Sequence, residues 1–498
     1  MNPAVASRAT NVLAQRIATV RDVLGVEAEP TSADGASLFE SVKQLVELVG
    51  ERRDPALAWL LVVGLTAALP EPGLVRSVTR TLALMEPDDA VVWLLEAVVP
   101  LATSSGNSGA SLRVVTDRPL VDVNLTAKSD LLTGIQRVVR GVVSQWSDRH
   151  DVELVVWDRR GGAYRTLHDT ERNRLLEREA PEFDHTARST AVRAAEVVVP
   201  WGVPVILTEV PPTTLSDRLA AIAELTDSSV RLIGYDCIPV ASAETVPLAE
   251  PEKFGRYLEL VKHADRVAGI SRSAAAEFEG FGRSLAAQGL TGPEVVACSL
   301  PHTTPVVGDV DLPTLDGPPL PERPLVLSIG SVGRRKNQAA LVEAAEMLWR
   351  EGLDFELRIL GHMGTERSPL VGLVPELRAL GRPLVQESGV SDRRIASSLM
   401  QARCLVFPTL HEGFGLPVAE ALSHGVPVIT SDFGSTRELA EGNGGLLVDP
   451  EDVSALAGAL RSLLVDDELH SRLVAEAAAR PQRTWVDYAD DLWEALLG

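Results

Sequence analysis

Lysine is scarce in this 498-residue chain. Only five of its 47 basic residues are Lys, the rest being Arg, and Lys336 is the only lysine after Lys262. Cysteine is scarcer still. The three residues Cys237, Cys298 and Cys404 are widely spaced, which excludes a disulfide framework and a zinc-ligand pattern and reads as buried thiols in a reducing, cytoplasmic setting. The basic residues are outnumbered by 69 Asp and Glu, for a net charge of −22. Such a balance argues against nucleic acid as a partner and against nonspecific adhesion to anionic lipid. The N-terminal stretch MNPAVASRATNVLAQRIATV has no continuous apolar core of the kind a signal peptide carries. The longest apolar run, Ala56 to Leu69, ends at Pro70 and falls short of the roughly 20 residues needed to span a bilayer, so it reads as a core helix. No GxGxxG follows a strand, which weakens a dinucleotide oxidoreductase. The nine His are scattered, and His362 and His411 read as packing or hydrogen-bonding residues. The one DxD, Asp309-Val310-Asp311, sits in a Pro-rich linker without strand context and reads as solvated, so no metal is expected.

What is present is alternation. Residues 1–112 read as an all-helical extension, closed by a small polar stretch, Thr103 to Ser111, with linker composition. Beyond it come apolar strands, LVDVNL, VELVVW, VVVP, PVILTE, VRLIGYD, RVAGIS and EVVACS, each followed by a turn or helical pattern. Gly308 to Pro324, rich in Pro, Gly and Asp, reads as an inter-domain linker. A second series follows: PLVLSIG, FELRILG, PLVQES, CLVFP and PVITSD. Continuous apolar strands between helices mark parallel sheets covered on both faces. The expected class is α/β, with two Rossmann-like domains (113–312 and 313–481) behind the helical extension and a last helix in 482–498.

The most informative stretch is His411 to Pro427, HEGFGLPVAEALSHGVP. It follows the strand CLVFP, which Glu412 is expected to end, and runs through Gly413, Phe414, Gly415 and Leu416 into a short helix from Pro417 that stops by Gly425. Pro at the start and Gly past the end are the usual punctuation. The loop can aim backbone N–H groups at one point on the positive end of the helix, with Glu412 and Glu420 on either side. That suits a ligand with a diphosphate in its middle and hydroxyl-rich groups at both ends, as in a nucleotide-sugar. After PLVLSIG comes SVGRRKNQAALVEAAEML, with Asn337 as a natural N-cap. Arg335 and Lys336 then stand at a helix start, where cations oppose the macrodipole unless an anion is present.

EGFGLPVAEAL and RRKN together resemble the family-4 glycosyltransferases, retaining enzymes of the two-Rossmann architecture called GT-B. The resemblance covers about 380 residues, from Leu120 to the end, and is strongest after Pro324. It implies that Glu420 holds the donor ribose, that Glu412 lies near the donor sugar, and that Arg335 and Lys336, behind Gly333, stabilise the departing diphosphate. It implies a glycine loop at DLLTGIQR, carried by Gly134, where the backbone approaches the donor phosphates. YDCIPV resembles the family's HD-I-P stretch with Tyr235 in place of the His, leaving Asp236 as an acceptor-site candidate. Ser271 reads as an N-cap at the family's serine, and Ser435 and Thr436 as donor contacts in GSTREL. Trp485 stands where the family has an aromatic, in a final helix that crosses back onto the first sheet.

The activity implied is transfer of a hexose from a nucleotide-diphosphate sugar to a glycan or lipid-linked acceptor, without cofactor or metal. TGIQR and YDCIPV look most like mannosyl- and rhamnosyltransferases of surface-polysaccharide assembly, so GDP-mannose leads and dTDP-rhamnose follows. Residues 1–112 would contact a partner protein, a lipid-linked acceptor or a second copy of the chain, placing the protein in the cytoplasm or at the inner face of the membrane. Two rival readings share the plan, a sugar-nucleotide epimerase and a catalytically silent scaffold.

Overall fold

Among the described residues, the stretch 111–301 carries nine strands and the stretch 321–463 carries six, and each set forms its own sheet. The computed structural model describes residues 3–26, 35–129, 133–158, 160, 162–176, 196–301, 321–363 and 370–498. Asp309 and Asp311, and the linker from Gly308 as far as residue 320, lie outside the described residues.

The first sheet holds β1 (Ser111–Val115), β2 (Leu120–Asp122), β3 (Glu153–Trp157), β4 (Tyr164–Thr166), β5 (Glu196–Pro200), β6 (Val205–Leu207), β7 (Val230–Gly234), β8 (Arg266–Gly269) and β9 (Glu294–Ala297). Their order is β1-β5-β4-β3-β2-β6-β7-β8-β9. Every neighbouring pair is parallel except those made by β4, which runs antiparallel to β3 and β5. The second sheet is all parallel: β10 (Leu325–Ile329), β11 (Glu356–Leu360), β12 (Leu384–Glu387), β13 (Cys404–Phe407), β14 (Val428–Ser431) and β15 (Gly445–Val448), in the order β12-β11-β10-β13-β14-β15. All residues of β10 and β13 are buried, as expected of strands covered on both faces. The expected α/β class with two Rossmann-like sheets is therefore observed. Strand order reverses between β10 and β13 in the second sheet, and between β2 and β6 in the first. Crevices open at the carboxyl ends of strands at such points.

The N-terminal region is helical, as expected, but it is fused to the first sheet. Five helices, Pro3–Val23, Gly35–Arg52, Pro55–Thr66, Pro72–Leu82 and Pro87–Ser105, share one core with Val115, Trp157, Val197 and Val199. Pro55–Thr66 is buried from its second residue to its last. Asp54 caps it by accepting from the Ala56 N–H at 2.8 Å, and Ala67 ends it in the left-handed conformation. This is the run expected to be a core helix, and it is one. Among the described residues no helix is long and apolar enough to cross a membrane.

Thr103 to Ser111 is not the flexible linker its composition suggested. Thr103–Ser105 form the last turn of a helix and Ser111 opens β1. Between them, the buried Arg16 guanidinium donates to the Ser108 and Ala110 carbonyls at 3.0 Å, and to Gly64 O and Leu65 O at 2.8 and 3.1 Å. Asn107 donates to Ala67 O at 3.2 Å and to Asp158 Oδ2 at 2.5 Å. Small polar residues are held here because a long-range cation satisfies their carbonyls.

At the other end, helix Trp485–Leu497 lies against helix Gly134–Arg149 of the first domain. Trp146 donates to Ala489 O at 2.9 Å, and Trp493 stacks on His150 with centroids 3.6 Å apart. A second core joins Val121, Ile206 and Ile233 of the first sheet to Leu327, Phe407 and Phe414 of the second domain and to Tyr488 and Leu492 of this last helix. The three free cysteines are buried.

Candidate functional site

The loops after β10 and β13 meet at the switch point of the second sheet. After β10 the chain turns through Gly333 to Asn337, with Lys336 N and Asn337 N both donating to Gly333 O at 3.1 and 3.2 Å. Asn337 does not cap the following helix, Gln338–Arg350. Its backbone is left-handed (φ 53°) and its side chain donates to Pro450 O at 2.7 Å instead. Arg335 and Lys336 therefore lie in a turn before the helix, and the turn is tied to the neighbouring loop. Leu410 N donates to Arg335 O at 2.8 Å and Thr409 Oγ1 donates to the same carbonyl at 3.1 Å.

Glu412 sits in the loop five residues beyond Phe407, the end of β13, rather than ending the strand. Its Oε1 accepts from Arg335 Nη1 at 2.6 Å, Lys336 Nζ at 2.5 Å and Thr409 Oγ1 at 3.0 Å. Two cations thus share one nearly buried carboxylate oxygen. Burial lowers the Lys336 pKa against the raising effect of Glu412, and its ammonium stands 4.7 Å over the Phe407 ring. The loop continues into helix Leu416–Ser423, which begins one residue before the expected Pro417. Gly415 precedes it at φ 101°, a conformation that suits glycine. Behind the loop, the buried Ser435 donates to Glu412 O at 2.7 Å, and Thr436 packs at the Cα of Gly415, where a Cβ would come within 2.9 Å of it. Both residues shape the loop from its inner side. Phe414, also named from the sequence, has its ring in the core.

Opposite stands the first domain. Asp236 follows β7, accepts from Ile238 N at 3.1 Å and is pushed up to about 6 by burial. It faces Gly413, where a Cβ would fall 2.3 Å from Tyr235 O and 3.2 Å from Asp236 Oδ2. Only glycine admits that approach of the two domains. Tyr235 turns into the core, donating to Thr208 O at 2.7 Å. Ser271 caps its helix, accepting from Ala274 N at 2.9 Å, and donates to Gly413 O across the cleft at 2.6 Å. Gly134 approaches Leu416, whose Cδ1 would be 3.1 Å from a Cβ there. Helix Gly134–Arg149 begins at that glycine with a capping box between Thr133 and Gln136.

Three side chains at this junction were not anticipated. Arg137, one turn beyond Gly134, donates from Nη1 to Glu420 Oε1 at 2.7 Å and from Nη2 to Asp392. Burial raises the Glu420 pKa, and Arg137 opposes that rise. Glu277 bonds His411 Nε2 at 2.6 Å, while Ser242 Oγ bonds His411 Nδ1 at 2.7 Å. Burial works against a charged His411, but Glu277 outweighs it and the imidazole pKa is raised. Arg137 lay inside the TGIQR stretch; Glu277 and Ser242 have no local signature, because they meet His411 from 134 and 169 residues away. His362 is exposed, with its carbonyl accepting from Val332 N at 2.8 Å. Among the described residues no cluster of three or more His, Cys, Asp or Glu is arranged to hold a metal ion.

The arrangement brings two cations and two carboxylates together where the two Rossmann-like domains meet. Residues 317–480 match the family described as Glycosyl transferases group 1. The serotype-specific mannosyltransferase WbdA of Escherichia coli is 27% identical over 411 residues, covering 77% of this chain and 46% of that protein. A phosphatidyl-myo-inositol mannosyltransferase of Mycolicibacterium smegmatis is 34% identical over 192 residues, covering 38% of this chain and 48% of that protein. The chain thus spans about half the length of the curated relatives it matches. Among solved structures, the sucrose-phosphate synthase of Thermosynechococcus elongatus superposes with a TM-score of 0.51 at 16% identity, over 76% of this chain and 98% of that one. That likeness shows the fold. The resemblance read in the motifs, to family-4 glycosyltransferases of the mannosyltransferase branch, is borne out by the family match and the relatives.

Proposed function

We propose that this chain, whose residues 317–480 belong to the group 1 glycosyl transferases, moves a hexose from a nucleoside-diphosphate sugar to a glycan or glycolipid acceptor, retaining the configuration at the transferred carbon. Mannose is the favoured sugar and rhamnose the second, in keeping with the mannosyltransferase names of its relatives. The observation that carries the reading is the pair Arg335 and Lys336 converging on one Glu412 oxygen at the switch point of the second sheet. A diphosphate entering there competes with Glu412 for both cations. As the glycosidic bond breaks, charge grows on the diphosphate, and cations already in place stabilise it without reorganising. In this reading they supply the positive charge the leaving group needs, so no metal is required.

Glu412, once it yields its cations, is free to accept hydroxyl hydrogen bonds from the donor sugar, and Glu420 accepts the ribose diol. Asp236 borders the acceptor side. Retention follows if the departing diphosphate takes the acceptor proton on the face it leaves. The protein then contributes positioning and charge, with water excluded by the apposed domains. The test is a thermal-shift screen against GDP, UDP, dTDP, ADP and their sugars, on wild-type protein and Glu420→Ala. A shift for one base, lost in the variant, supports the reading. No shift with any nucleotide sinks it and favours a scaffold.

A further inference from the structure

Glu420, the carboxylate assigned to the donor ribose, already has a partner from the other domain. Arg137 Nη1 lies 2.7 Å from its Oε1, and Arg137 Nη2 is held in turn by Asp392, the first residue of helix Asp392–Leu399. The guanidinium is thus fixed at both ends against the second domain while its backbone belongs to the first. Its own helix start is fixed by the Thr133–Gln136 capping box and by the contact of Gly134 with Leu416. Glu420 is only 8% exposed. A carboxylate in that setting loses its charge unless a cation stands beside it, and a protonated carboxyl cannot accept both hydroxyls of a diol. Arg137 engages Oε1, one of two carboxylate oxygens, and each can accept more than one hydrogen bond.

Resting on the donor-site reading above, we propose that Arg137 is a positioning residue of the nucleotide site. It holds Glu420 ionised and in one orientation for the ribose, so that tight nucleotide binding to the second domain requires the first domain to be in place. The opposite role, a plug that the ribose must expel, would make its removal strengthen binding.

The experiment is calorimetry with GDP (or whichever of UDP, ADP and dTDP binds wild-type protein more tightly) between about pH 6 and 8. The proteins are wild type, Arg137→Ala, Arg137→Lys, Glu420→Ala and the Arg137→Ala/Glu420→Ala double variant. The groups facing Glu420 are Arg137, Asp392 and His424, whose Nδ1 lies 2.8 Å from Glu420 O. His424 acts on Glu420 in the same sense as Arg137, lowering its pKa, and is present in every variant; the nucleotide's own phosphate titration is likewise common to all of them. Arg137→Ala is expected to bind the nucleotide about ten- to a hundredfold more weakly at about pH 7. Part of that loss should recover as pH rises and Glu420 ionises, and Arg137→Lys should restore most of it. In the Glu420→Ala background, removing Arg137 should change affinity by less than about twofold, since coupled residues do not add. Equal or tighter binding by Arg137→Ala overturns the inference, as does a loss that is independent of pH or that adds fully to that of Glu420→Ala. Wild-type protein that binds none of the four nucleotides overturns the donor reading itself, and this inference with it.

Discussion

Lys336 is where the proposed chemistry can be separated from the fold. Its ammonium pairs with Glu412 at 2.5 Å, and Glu412 keeps Arg335 at 2.6 Å and Thr409 Oγ1 at 3.0 Å when the lysine is removed. Lys336→Ala therefore strands no buried charge. Its cost to folding should fall well below the roughly 3–5 kcal/mol seen when a buried pair is broken with one ion left behind. About 1 kcal/mol is expected, mostly from the stem and its contact with Phe407. Nucleotide binding should suffer more. A charge-assisted hydrogen bond contributes about 1.5–3 kcal/mol, or about ten- to 150-fold in affinity. The upper half of that range is expected, because Glu412, now neutralised by one cation fewer, faces the incoming phosphates.

The assay is calorimetry with the best-binding nucleoside diphosphate and with its parent nucleoside, beside a thermal melt. The diphosphate should weaken by that factor while the nucleoside binds as before. Turnover, once an acceptor is known, should fall about 10²–10³-fold, as for loss of one preorganised donor to a developing anion. Unchanged diphosphate affinity would remove Lys336 from the site. A parallel loss of nucleoside binding, with a melt lowered by many degrees, would make it a structural residue.

Glu412→Gln should act in the opposite sense: freed of their carboxylate, Arg335 and Lys336 repel each other, so the ligand-free protein melts lower, while a nucleoside diphosphate binds about tenfold tighter and raises the melt by more than in wild type. The His411–Glu277 pair predicts a pH effect. Because Glu277 raises the folded-state imidazole pKa, the pair's contribution is complete below the ordinary value of about 6.5 and fades as pH rises through the folded value. Asp236, at about 6, titrates below that window. Glu277→Gln should therefore flatten the decline in melting temperature above about pH 6.5, and an unaltered slope would discard the pair as a clasp. Gly141→Val tests the last helix: a Cβ at Gly141 would stand 2.3 Å from Trp485 Cε3, so the helix must shift, at about 1–3 kcal/mol by urea denaturation.

How much of this was legible depended on whether the cause was local. The donor loop could be read because its punctuation, Gly415, Pro417 and Gly425, and its charges lie within one short stretch. The strands could be read because burial on both faces leaves continuous apolar runs. Three strands escaped. β4 is Tyr-Arg-Thr, too short to show a pattern, and its Arg165 is tolerated because Glu171 pairs with it at 2.7 Å. β15, Gly445–Val448, is four residues opened by a glycine. β1 follows a stretch that looks like a tether until Arg16, more than ninety residues earlier, is seen donating to its carbonyls. Asn337 misled for the same reason. Asn before a helical run ordinarily caps it, but Pro450, 113 residues on, takes the side chain. The misreadings before β1 and at Asn337 each came from a hydrogen bond whose other half lies far along the chain.

The same distinction explains the site. The two glutamates of the donor loop look alike in sequence, but their cations come from different places. Glu412 takes both of its own from the second domain, so a diphosphate can displace it there with no help from the first. Glu420 takes its cation from Arg137 across the cleft, and His411, next to Glu412, is gripped by Glu277 and Ser242 of the same first domain. Diphosphate affinity should thus respond little to contacts between the domains, whereas recognition of the ribose should weaken whenever they part. Ser273 N, which donates to Glu438 at 2.7 Å on the far side of the junction, offers a way to tell the two apart. Glu438→Ala removes that contact without touching either glutamate. It is expected to weaken a nucleoside diphosphate about as much as it weakens the nucleoside, because only the ribose end is loosened. A loss confined to the diphosphate would mean that the cations, too, are set by the first domain.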